Sequence, residues 1–307
     1  MDRIIDIATD GLHLAVDRGF LTVNSGQDQH GRVPLDDIAG LITHAHGLTW
    51  TNQCFVKLSE RGIPIVICSA NHAPVACVWP LQGHHLQGER LRLQIGASKP
   101  LQKQLWQNLV IAKILMQGAV MSSIGVNDEP FRLLARYVRS DDSENAEAQS
   151  ARRYWPLLFG SEFRRDTDEK GKNALLNYGY TILRSLVARS ICGAGLTPGL
   201  GLHHSNRANA FALADDVMEP FRPIVDRLVF NLVQNDIEDV SREAKHTLAN
   251  LGGIDLESDD GSTSTIATAV ANLVHSIITS FENGEAALQF PKTPKSQFWE
   301  SLGTETN

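Results

Sequence analysis

The spacing of hydrophobic residues changes once along the chain, near residue 80, and this change limits the fold more than any single motif. Before it, short apolar runs alternate with turn residues, as in strands. Beyond residue 99, apolar residues recur at intervals of three and four, as on one face of a helix. The chain is therefore predicted to divide into a strand-rich part and a larger helical part.

The first part contains recognisable strand and turn signals. Residues 12–23 (LHLAVDRGFLTV) read as two strands joined at Gly19, because glycine accepts the positive φ of a tight turn. A further strand is expected at 38–43, and 63–68 (IPIVIC) has the continuous apolar character of a buried strand. Thr51 and Gly62 bracket one helix as its N-cap and C-terminal glycine. Residues 1–80 are thus predicted to form a β-rich domain with one helix.

Residues 81–98 mix Gly, Gln, His and Arg without a sustained period, which predicts a linker. Its pair His84 and His85 is read as solvated, with a metal-ligand role as the alternative. Residues 99–307 are predicted to form an all-α domain whose tail frays after residue 291. The fold class is α+β, with helices expected at 129–139, 145–159, 172–193, 210–234, 241–251 and 264–281.

Charge and cysteine content restrict the environment and the partners. The formal net charge of -7 argues against nucleic-acid binding, since such domains are usually basic. Residues 90–189, however, hold 16 Lys plus Arg against 10 Asp plus Glu, a local excess of +6. The four cysteines are scattered, no secretory signal is recognised and no apolar run is long enough to span a membrane. A soluble, cytoplasmic protein is expected.

The segment 197–225 (TPGLGLHHSNRANAFALADDVMEPFRPIV) is the richest in candidate functional groups. A glycine-rich approach leads to His203 and His204, and a helix is expected to begin near residue 209 or 210. On that helix Asp216 and Glu219 are three residues apart, so their carboxylates share one face about one turn apart. Such a pair is either a solvated acidic face or a cation site, and the apolar residues around it favour the latter.

A second acidic candidate lies in ENAEAQSARRYW (144–155). Glu147 stands among small alanines that favour close helix packing, although lone helical glutamates are mostly surface residues. Residues alone therefore leave its role open.

Taken together, these motifs resemble one family. The sequence AEAQSARRYW, followed about fifty residues later by TPGLGLHH and then by LADDVMEPFRP, is similar to the CRISPR-associated integrases of spacer adaptation, in the variant that accompanies type II systems. The resemblance covers the whole chain. It implies an N-terminal β domain that forms the dimer, a flexible linker and a helical domain that holds a metal site.

Position by position, the resemblance assigns the catalytic and metal-binding roles to Glu147, His204 and Glu219, with Asp216 assisting. His204 is preferred to His203 because Gly201 lies three residues before it, and Asp216 to Asp215 because it lies three residues before Glu219. Two carboxylates and an imidazole suit Mg²⁺ or Mn²⁺. His204 is either a ligand or a proton donor. The implied reaction is transesterification, in which the 3′-hydroxyl of a captured DNA fragment attacks a phosphate at a repeat boundary.

The resemblance also implies three partners: double-stranded DNA (the captured protospacer and the CRISPR repeat), a second copy of the chain, and a small ferredoxin-like adaptation protein. Two alternatives to the integrase are a non-catalytic DNA-binding scaffold with a relict metal site and a metal-dependent phosphohydrolase of nucleotides. DNA-binding candidates are taken from the basic excess, and they are Arg132, Arg136, Arg139, Arg152, Arg153, Arg164, Arg165, Lys170 and Lys172.

Overall fold

The computed structural model describes residues 3–26, 28–45, 47–68, 74–78, 80, 84–166, 170–257, 263–292, 294, 298–299 and 302. The N-terminal region is rich in strands and the C-terminal region is mainly helical, as predicted. The strands and helix of the N-terminal region, in chain order, are β1 (Arg3–Ile7), β2 (His13–Asp17), β3 (Phe20–Ser25), β4 (Asp28–Pro34), β5 (Ile38–Thr43), β6 (Thr49–Trp50), α1 (Asn52–Glu60), β7 (Ile65–Cys68) and β8 (Pro74–Val78).

The local signals act as expected in this region. Arg18 and Gly19 both have positive φ, at 46° and 83°, which is the geometry of a two-residue hairpin turn between β2 and β3. The Thr51 side chain accepts a hydrogen bond from the Cys54 amide at 3.3 Å and so caps α1. Gly62, with φ of 66°, lies just past the end of that helix.

Two four-stranded sheets form this region. One has the order β1-β5-β7-β8, with parallel pairing up to β7 and an antiparallel edge at β8. The other has the order β4-β3-β2-β6. A hydrophobic core that includes Leu14, Leu21, Leu41, Leu58 and Ile65 joins the two sheets and α1.

The remaining elements are mainly helices. In chain order they are α2 (Gln87–Gly96), α3 (Lys99–Ser123), α4 (Glu129–Tyr137), α5 (Ala146–Phe159), α6 (Lys172–Gly193), α7 (Ala212–Met218), α8 (Arg222–Gln234), α9 (Arg242–Ala249), β9 (Asp255–Glu257), β10 (Thr263–Thr265) and α10 (Ile266–Asn283).

Helix α6 is central to the helical region. It packs against α7, α8, α9 and α10, and most of its side chains are buried. At Gly179 a Cβ would lie only 2.5 Å from Val225 Cγ1, so the absence of a side chain permits the close approach of α6 and α8. The helical core built in this way also includes Ile4, Ile42 and Val66 from the first sheet.

A polar group also joins the first sheet to the helices. Tyr178 Oη donates to Asp6 Oδ2 at 2.8 Å, and His44 Nε2 lies 3.1 Å from Asp6 Oδ1. Lys245 Nζ lies 3.8 Å from Asp6 Oδ2. We call Asp6, His44, Tyr178 and Lys245 the Asp6 cluster. It places complementary charge where the β-rich and helical regions meet.

The expectation of an irregular linker is wrong for residues 87–96, which form α2. Its Arg90 Nη1 donates to the Ala194 carbonyl at 2.6 Å, and Gln94 Nε2 donates to the Thr197 and Leu200 carbonyls at 2.9 Å each. Long polar side chains hold this helix against the end of α6 and the following loop, and apolar periodicity does not reveal such contacts. Residues 81–83 lie outside the described residues, and the exact domain boundaries stay a prediction.

Two further expectations are corrected in the C-terminal region. It is not all-α, because β9 and β10 form a short antiparallel ladder. Strands of three residues are too short to show an alternating pattern. The tail is not frayed at Phe298, Trp299 and Leu302, which are buried in the helical core, while most of the other residues after 292 lie outside the described part. In the described residues no helix combines the length and apolar character needed to cross a membrane.

Candidate functional site

Glu147 stands in the first turn of α5, and the preceding loop fixes its position. Asp141, Asp142 and Asn145 all have positive φ, at 65°, 48° and 60°. The buried Asp142 carboxylate accepts hydrogen bonds from the amides of Ala146 at 2.7 Å and Glu147 at 3.1 Å, which caps the helix. The Glu147 side chain is 34% exposed, so one side of it faces solvent.

Glu219 reaches the same place from a different element. It opens a 3₁₀ turn, Glu219–Phe221, that interrupts the helix predicted over 210–234 and separates α7 from α8. Pro220 and Pro223 fall at the starts of the two elements, where proline needs no amide hydrogen bond. The Glu219 side chain is buried, at only 4% exposure.

Lys113 joins the two carboxylates. Its Nζ lies 2.6 Å from Glu147 Oε1 and 2.5 Å from Glu219 Oε2, so those two oxygens can be no further apart than the sum of these distances. Arg222 Nε lies 3.2 Å from the other oxygen of Glu219. We call Lys113, Glu147, Glu219 and Arg222 the Lys113 cluster. It gathers charged groups from α3, α5, the 3₁₀ turn and α8.

The cations keep Glu219 ionised. Burial alone would raise the pKa of its carboxyl, but Arg222 and Lys113 hold that pKa below its ordinary value. For Lys113, burial disfavours the charged form and would lower the pKa. The charges of Glu219 and Glu147 more than offset this, so the pKa of the ammonium lies above its ordinary value. Glu219 is therefore held ionised between two cations.

His204 is oriented by Asp216. The fully buried Asp216 carboxylate accepts from the amides of Leu202 at 2.6 Å, His203 at 3.1 Å and His204 at 3.3 Å. Its Oδ1 also lies 2.5 Å from His204 Nδ1, and this hydrogen bond raises the pKa of the imidazole against the effect of burial. A Cβ at Gly201 would lie 2.5 Å from the His204 carbonyl oxygen, so the loop needs glycine there.

The contacts of Asp216 lie on the loop that carries His204. All its recorded contacts hold the loop 202–204 and the Nδ1 edge of His204. Glu219 pairs with Lys113 and Arg222, whereas the hydrogen bonds of Asp216 go to the loop and to His204, and the charges of both carboxylates raise the pKa of that imidazole. The Nε2 edge of His204 is left for a ligand or a proton, and its side chain is 41% exposed.

The side chains within each adjacent pair, His203–His204 and Asp215–Asp216, are distinguished by their contacts. Asp215 pairs with Arg184 Nε at 2.7 Å and accepts from Asn209 at 2.8 Å, so it is bound within the scaffold. His203 stacks on the buried Trp106, with ring centroids 4.3 Å apart, and its Nδ1 lies 3.4 Å from Asp141. The side chains of His203 and Asp215 thus have other partners, and the hydrogen-bonded pair is formed by His204 and Asp216.

The donor set fits a hard divalent cation. Two carboxylates and an imidazole edge are the ligand types that Mg²⁺ and Mn²⁺ accept. Glu219 Oε2 is buried, and in the described part of the chain it faces Lys113 Nζ at 2.5 Å. No three His, Cys, Asp or Glu side chains within the described ranges are already arranged around one point as metal ligands, and Lys113 lies between the two glutamates.

The predicted DNA-binding residues differ in the contacts that their side chains make. Arg132 pairs with Asp128 at 2.6 Å, Arg139 lies 3.6 Å from Glu144, and Lys172 lies 3.8 Å from Glu238. Arg164 donates to the carbonyls of Ser161 and Phe163. These four cations are already engaged at the surface, where such pairs are weak and a phosphate can replace them.

Arg165 is instead a structural residue. It donates to Asn173 at 2.9 Å and Asn177 at 2.6 Å and lies over the Tyr180 ring. By contrast, four of the predicted cations are exposed and have no ion pair recorded with another described residue, and they are Arg136, Arg152, Arg153 and Lys170.

The pair of histidines in the former linker belongs to the scaffold. His84 Nε2 lies 3.1 Å from Arg90 Nη1, and its ring stacks on His85 with centroids 4.4 Å apart. Neither belongs to a metal-binding group among the described residues.

Sequence reasoning missed Lys113, Arg222 and Trp106 as parts of the site. Lys113 had a detectable signal, because it is a lone cation on the apolar face of α3 and a lysine buried there needs partners. Arg222 lies within the quoted EPFRP motif but received no role. Trp106 has no local signal that separates it from an ordinary core residue.

The chain combines a strand-rich N-terminal region and a helical C-terminal region with a partly open site in which two carboxylates are paired with two cations. A family model described as CRISPR associated protein Cas1 matches residues 5–247. A CRISPR-associated endonuclease Cas1 of Neisseria meningitidis serogroup C is 40% identical over 228 residues, which cover 73% of this chain and 74% of that protein. The chain therefore belongs to the Cas1 family, and the prediction of a CRISPR-associated endonuclease/integrase is confirmed.

More distant relatives agree. A CRISPR-associated endonuclease Cas1 of Pyrobaculum aerophilum is 26% identical over 247 residues, which cover 75% of this chain and 82% of that one. A casposase bound to integration product has a TM-score of 0.79 at 19% identity and covers 95% of this chain and 94% of its own. A Cas1 protein from Thermotoga maritima has a TM-score of 0.76 at 16% identity, with 93% and 99% covered. At these identities the two structures support the fold.

Proposed function

We propose that this protein is the metal-dependent integrase of a type II CRISPR adaptation system. It joins the 3′-hydroxyl of a captured DNA fragment to a phosphate at a repeat boundary. The observation that carries the proposal is the convergence of Glu147 and Glu219, from separate elements, on Lys113, together with a His204 imidazole that Asp216 orients and whose pKa the charge of Glu219 raises. A structural ion pair alone does not require that oriented and half-exposed imidazole.

Glu147, Glu219 and His204 are the residues that would hold Mg²⁺ or Mn²⁺. Such an ion, when bound, polarises the phosphodiester and favours ionisation of the attacking hydroxyl. One phosphodiester bond forms as another breaks, so the reaction needs no energy source. With water in place of the 3′-hydroxyl, the same site gives endonuclease activity.

His204 has two roles consistent with its geometry. The Asp216 carboxylate accepts a hydrogen bond from Nδ1 of His204. This leaves Nε2 either to coordinate the ion or to give a proton to the departing 3′-oxygen. Asp216 is in both cases a positioning residue, since its contacts hold the loop and the imidazole and do not reach a substrate.

The proposal is tested by substitution of Glu147. We expect Glu147→Ala to abolish Mn²⁺- or Mg²⁺-dependent joining of short DNA to a repeat-bearing plasmid while folding and DNA binding persist. Glu144→Ala is the matched control, because Glu144 is three residues away and exposed, outside the Lys113 cluster. Full joining by Glu147→Ala would exclude the catalytic assignment.

The same experiment separates the two alternatives. A DNA-binding scaffold with a relict site would bind DNA without metal dependence and would tolerate substitution of Glu147, His204 and Glu219. A nucleotide phosphohydrolase would turn over small nucleotides in the absence of DNA. We favour the integrase because of the family to which the chain belongs.

DNA binding is proposed to depend on the exposed cations of the helical region. Arg136 is exposed on α4, and that helix leads within four residues to Asp141, beside His203. Arg136→Ala should weaken duplex binding and reduce the slope of log K against log salt by about one. Arg165→Ala should lower stability and leave the slope unchanged, because its guanidinium is held by Asn173 and Asn177. If the unmodified chain, Arg136→Ala and Arg165→Ala all gave the same salt slope, Arg136 would not belong to the DNA-binding surface.

Partners follow from the same proposal. We propose that the β-rich region forms a homodimer and that two such dimers flank a dimer of a small ferredoxin-like adaptation protein. Solved structures with this fold include a Cas6-RT-Cas1--Cas2 complex, at a TM-score of 0.77, and a TtCas1-DNA complex, at 0.56. Size-exclusion chromatography with light scattering tests the dimer, and a monomer at micromolar concentration would contradict it.

A further inference from the structure

Lys113 lies between the two carboxylates proposed to bind a metal. It is buried in the middle of α3, where Val110 and Ile114 are fully buried neighbours. A buried ammonium is stable only with partners, and its two ion-pair partners here are Glu147 and Glu219. Their oxygens are therefore gathered by a cation that the chain itself supplies.

The register of α3 and α5 keeps Lys113 in this place. One turn further along both helices, Ser150 Oγ donates to Gln117 Oε1 at 2.6 Å, and both residues are buried. This hydrogen bond fixes the two helices against each other beside the Lys113–Glu147 contact. Lys113 is thus held by the scaffold and does not reach in from solvent as a flexible surface lysine would.

Lys113 and a divalent ion require the same oxygens. Nζ is 2.6 Å from Glu147 Oε1 and 2.5 Å from Glu219 Oε2, and a divalent ion needs to approach such oxygens to about 2.0–2.6 Å. Both cations cannot occupy the space between these two atoms. Arg222 already balances part of the charge of Glu219, so a divalent ion added beside Lys113 also meets repulsion.

We propose that Lys113 is the resident cation of the metal site: it assembles the Glu147–Glu219 pair in the metal-free protein and competes with the divalent ion for it. The inference rests on the proposed function, since it requires that these carboxylates bind metal. Its consequence is a site that is preassembled before metal arrives but has reduced metal affinity.

The test is Mn²⁺ binding to the full chain by calorimetry, together with the melting temperature with and without Mn²⁺. Lys113→Gln removes the charge and keeps a hydrogen-bond donor. We expect this variant to bind Mn²⁺ at least about tenfold more tightly than the unmodified chain, because competition and repulsion are both removed. Without metal it should melt at a lower temperature, and Mn²⁺ should raise its melting temperature by more than it raises that of the unmodified chain.

Lys103→Gln is the matched control, since Lys103 is half-exposed on the same helix and pairs with Asp141 outside the cluster. Its Mn²⁺ affinity should be unchanged. If Lys113→Gln does not fold without metal, its refolding on addition of Mn²⁺, followed by circular dichroism, replaces the melting comparison, and Lys113→Met is measured in parallel.

Three results would overturn the inference: Mn²⁺ affinity in Lys113→Gln equal to or weaker than that of the unmodified chain, the same destabilisation with and without metal, or no refolding with Mn²⁺ in either variant. The first two are the behaviour of a purely structural ion pair. Failure of the proposed function is a separate outcome, in which the unmodified chain binds no Mn²⁺ or Glu147→Gln binds it equally well.

Discussion

The Asp6 cluster and the Lys113 cluster both bury carboxylates beside cations, but they differ in access to solvent. In the first, the side chains of Asp6 and His44 are 9% and 4% exposed, and the contacts join the sheet to α6 and α9. In the second, Glu219 is 4% exposed but Glu147 is 34% exposed, and the nearby His204 is 41% exposed.

Solvent access distinguishes a charge cluster that stabilises the fold from one that can take part in a reaction. Both groups contain acid, base and cation, so composition does not separate them. A closed cluster can act only on the fold, whereas a cluster open on one side can admit an ion and a phosphate. We therefore expect losses in the Lys113 cluster to affect chemistry first, and losses in the Asp6 cluster to affect stability first.

The largest expected effect is that of Glu219→Gln. It removes a charge proposed to hold the metal, so DNA joining should fall at least about a thousandfold, which corresponds to several kcal/mol of transition-state stabilisation. A plasmid-joining assay at saturating Mn²⁺ measures this. Joining within tenfold of the unmodified chain would place Glu219 with the structural group instead.

Asp6→Ala tests the Asp6 cluster and is expected to affect stability. It leaves His44 and Lys245 without their shared carboxylate, so the free energy of unfolding should fall by about 3 kcal/mol. Urea unfolding measures the change. Joining by the folded fraction should be retained, and a selective loss of joining without loss of stability would break the distinction.

Asp216→Asn is expected to have an intermediate effect. The amide keeps the shape of the carboxylate but weakens the hold on Nδ1 of His204, and loss of such a supporting partner costs about 10–100-fold in activity or metal affinity. Asp215→Asn is the matched control, because Asp215 contacts Arg184 and Asn209 and has no recorded contact with His204. Similar kinetics for the two variants would contradict the positioning role.

The last expected effect is a pH dependence of stability from Asp226, a buried carboxyl that feels the charges of Arg222 and Lys113. Burial raises the pKa of this carboxyl to about 7, and Tyr180, which donates to it, lowers the value only in part. Between about pH 4 and 7 the unfolded chain loses this proton and the folded chain keeps it. Stability contributed by the site therefore falls as pH rises through that window, by at most about 1.4 kcal/mol per pH unit.

Asp226→Asn should remove that dependence. Urea unfolding of the variant and the unmodified chain at pH 5, 6 and 7 makes the comparison. A difference between the two proteins that stays constant with pH would show that Asp226 is already ionised at pH 5.

Much of the secondary structure is predictable because its causes are local. Thr51 caps α1, Ser98 caps α3, and Gly19 permits the β2–β3 turn, and each acts within a few residues of its own position. The errors share the opposite property. Helix α2 is held by contacts of Arg90 and Gln94 with residues about a hundred positions away, and the tail is held by burial of Phe298 and Trp299.

The candidate site divides in the same way. Glu147, His204 and Glu219 come from motifs, and the structure brings Glu147 and Glu219 together on Lys113 and His204 onto Asp216. The contacts of Asp216 were not predictable from helical spacing, because its hydrogen-bond partners lie in the loop 202–204, ahead of the helix. Lys113 was not predictable as a partner because 34 residues separate it from Glu147.

Neighbouring residues alone indicate a strand-rich part followed by a helical part, the family and the ionisable groups available, because periodicity, caps and motifs are local. Only the tertiary structure decided which charges meet. Contacts of Lys113 with Glu147, and of Asp6 with Tyr178 at 172 positions' distance, depend on how helices and sheets pack. Coulomb and hydrogen-bond energies depend on separation in space, and separation along the chain does not specify it.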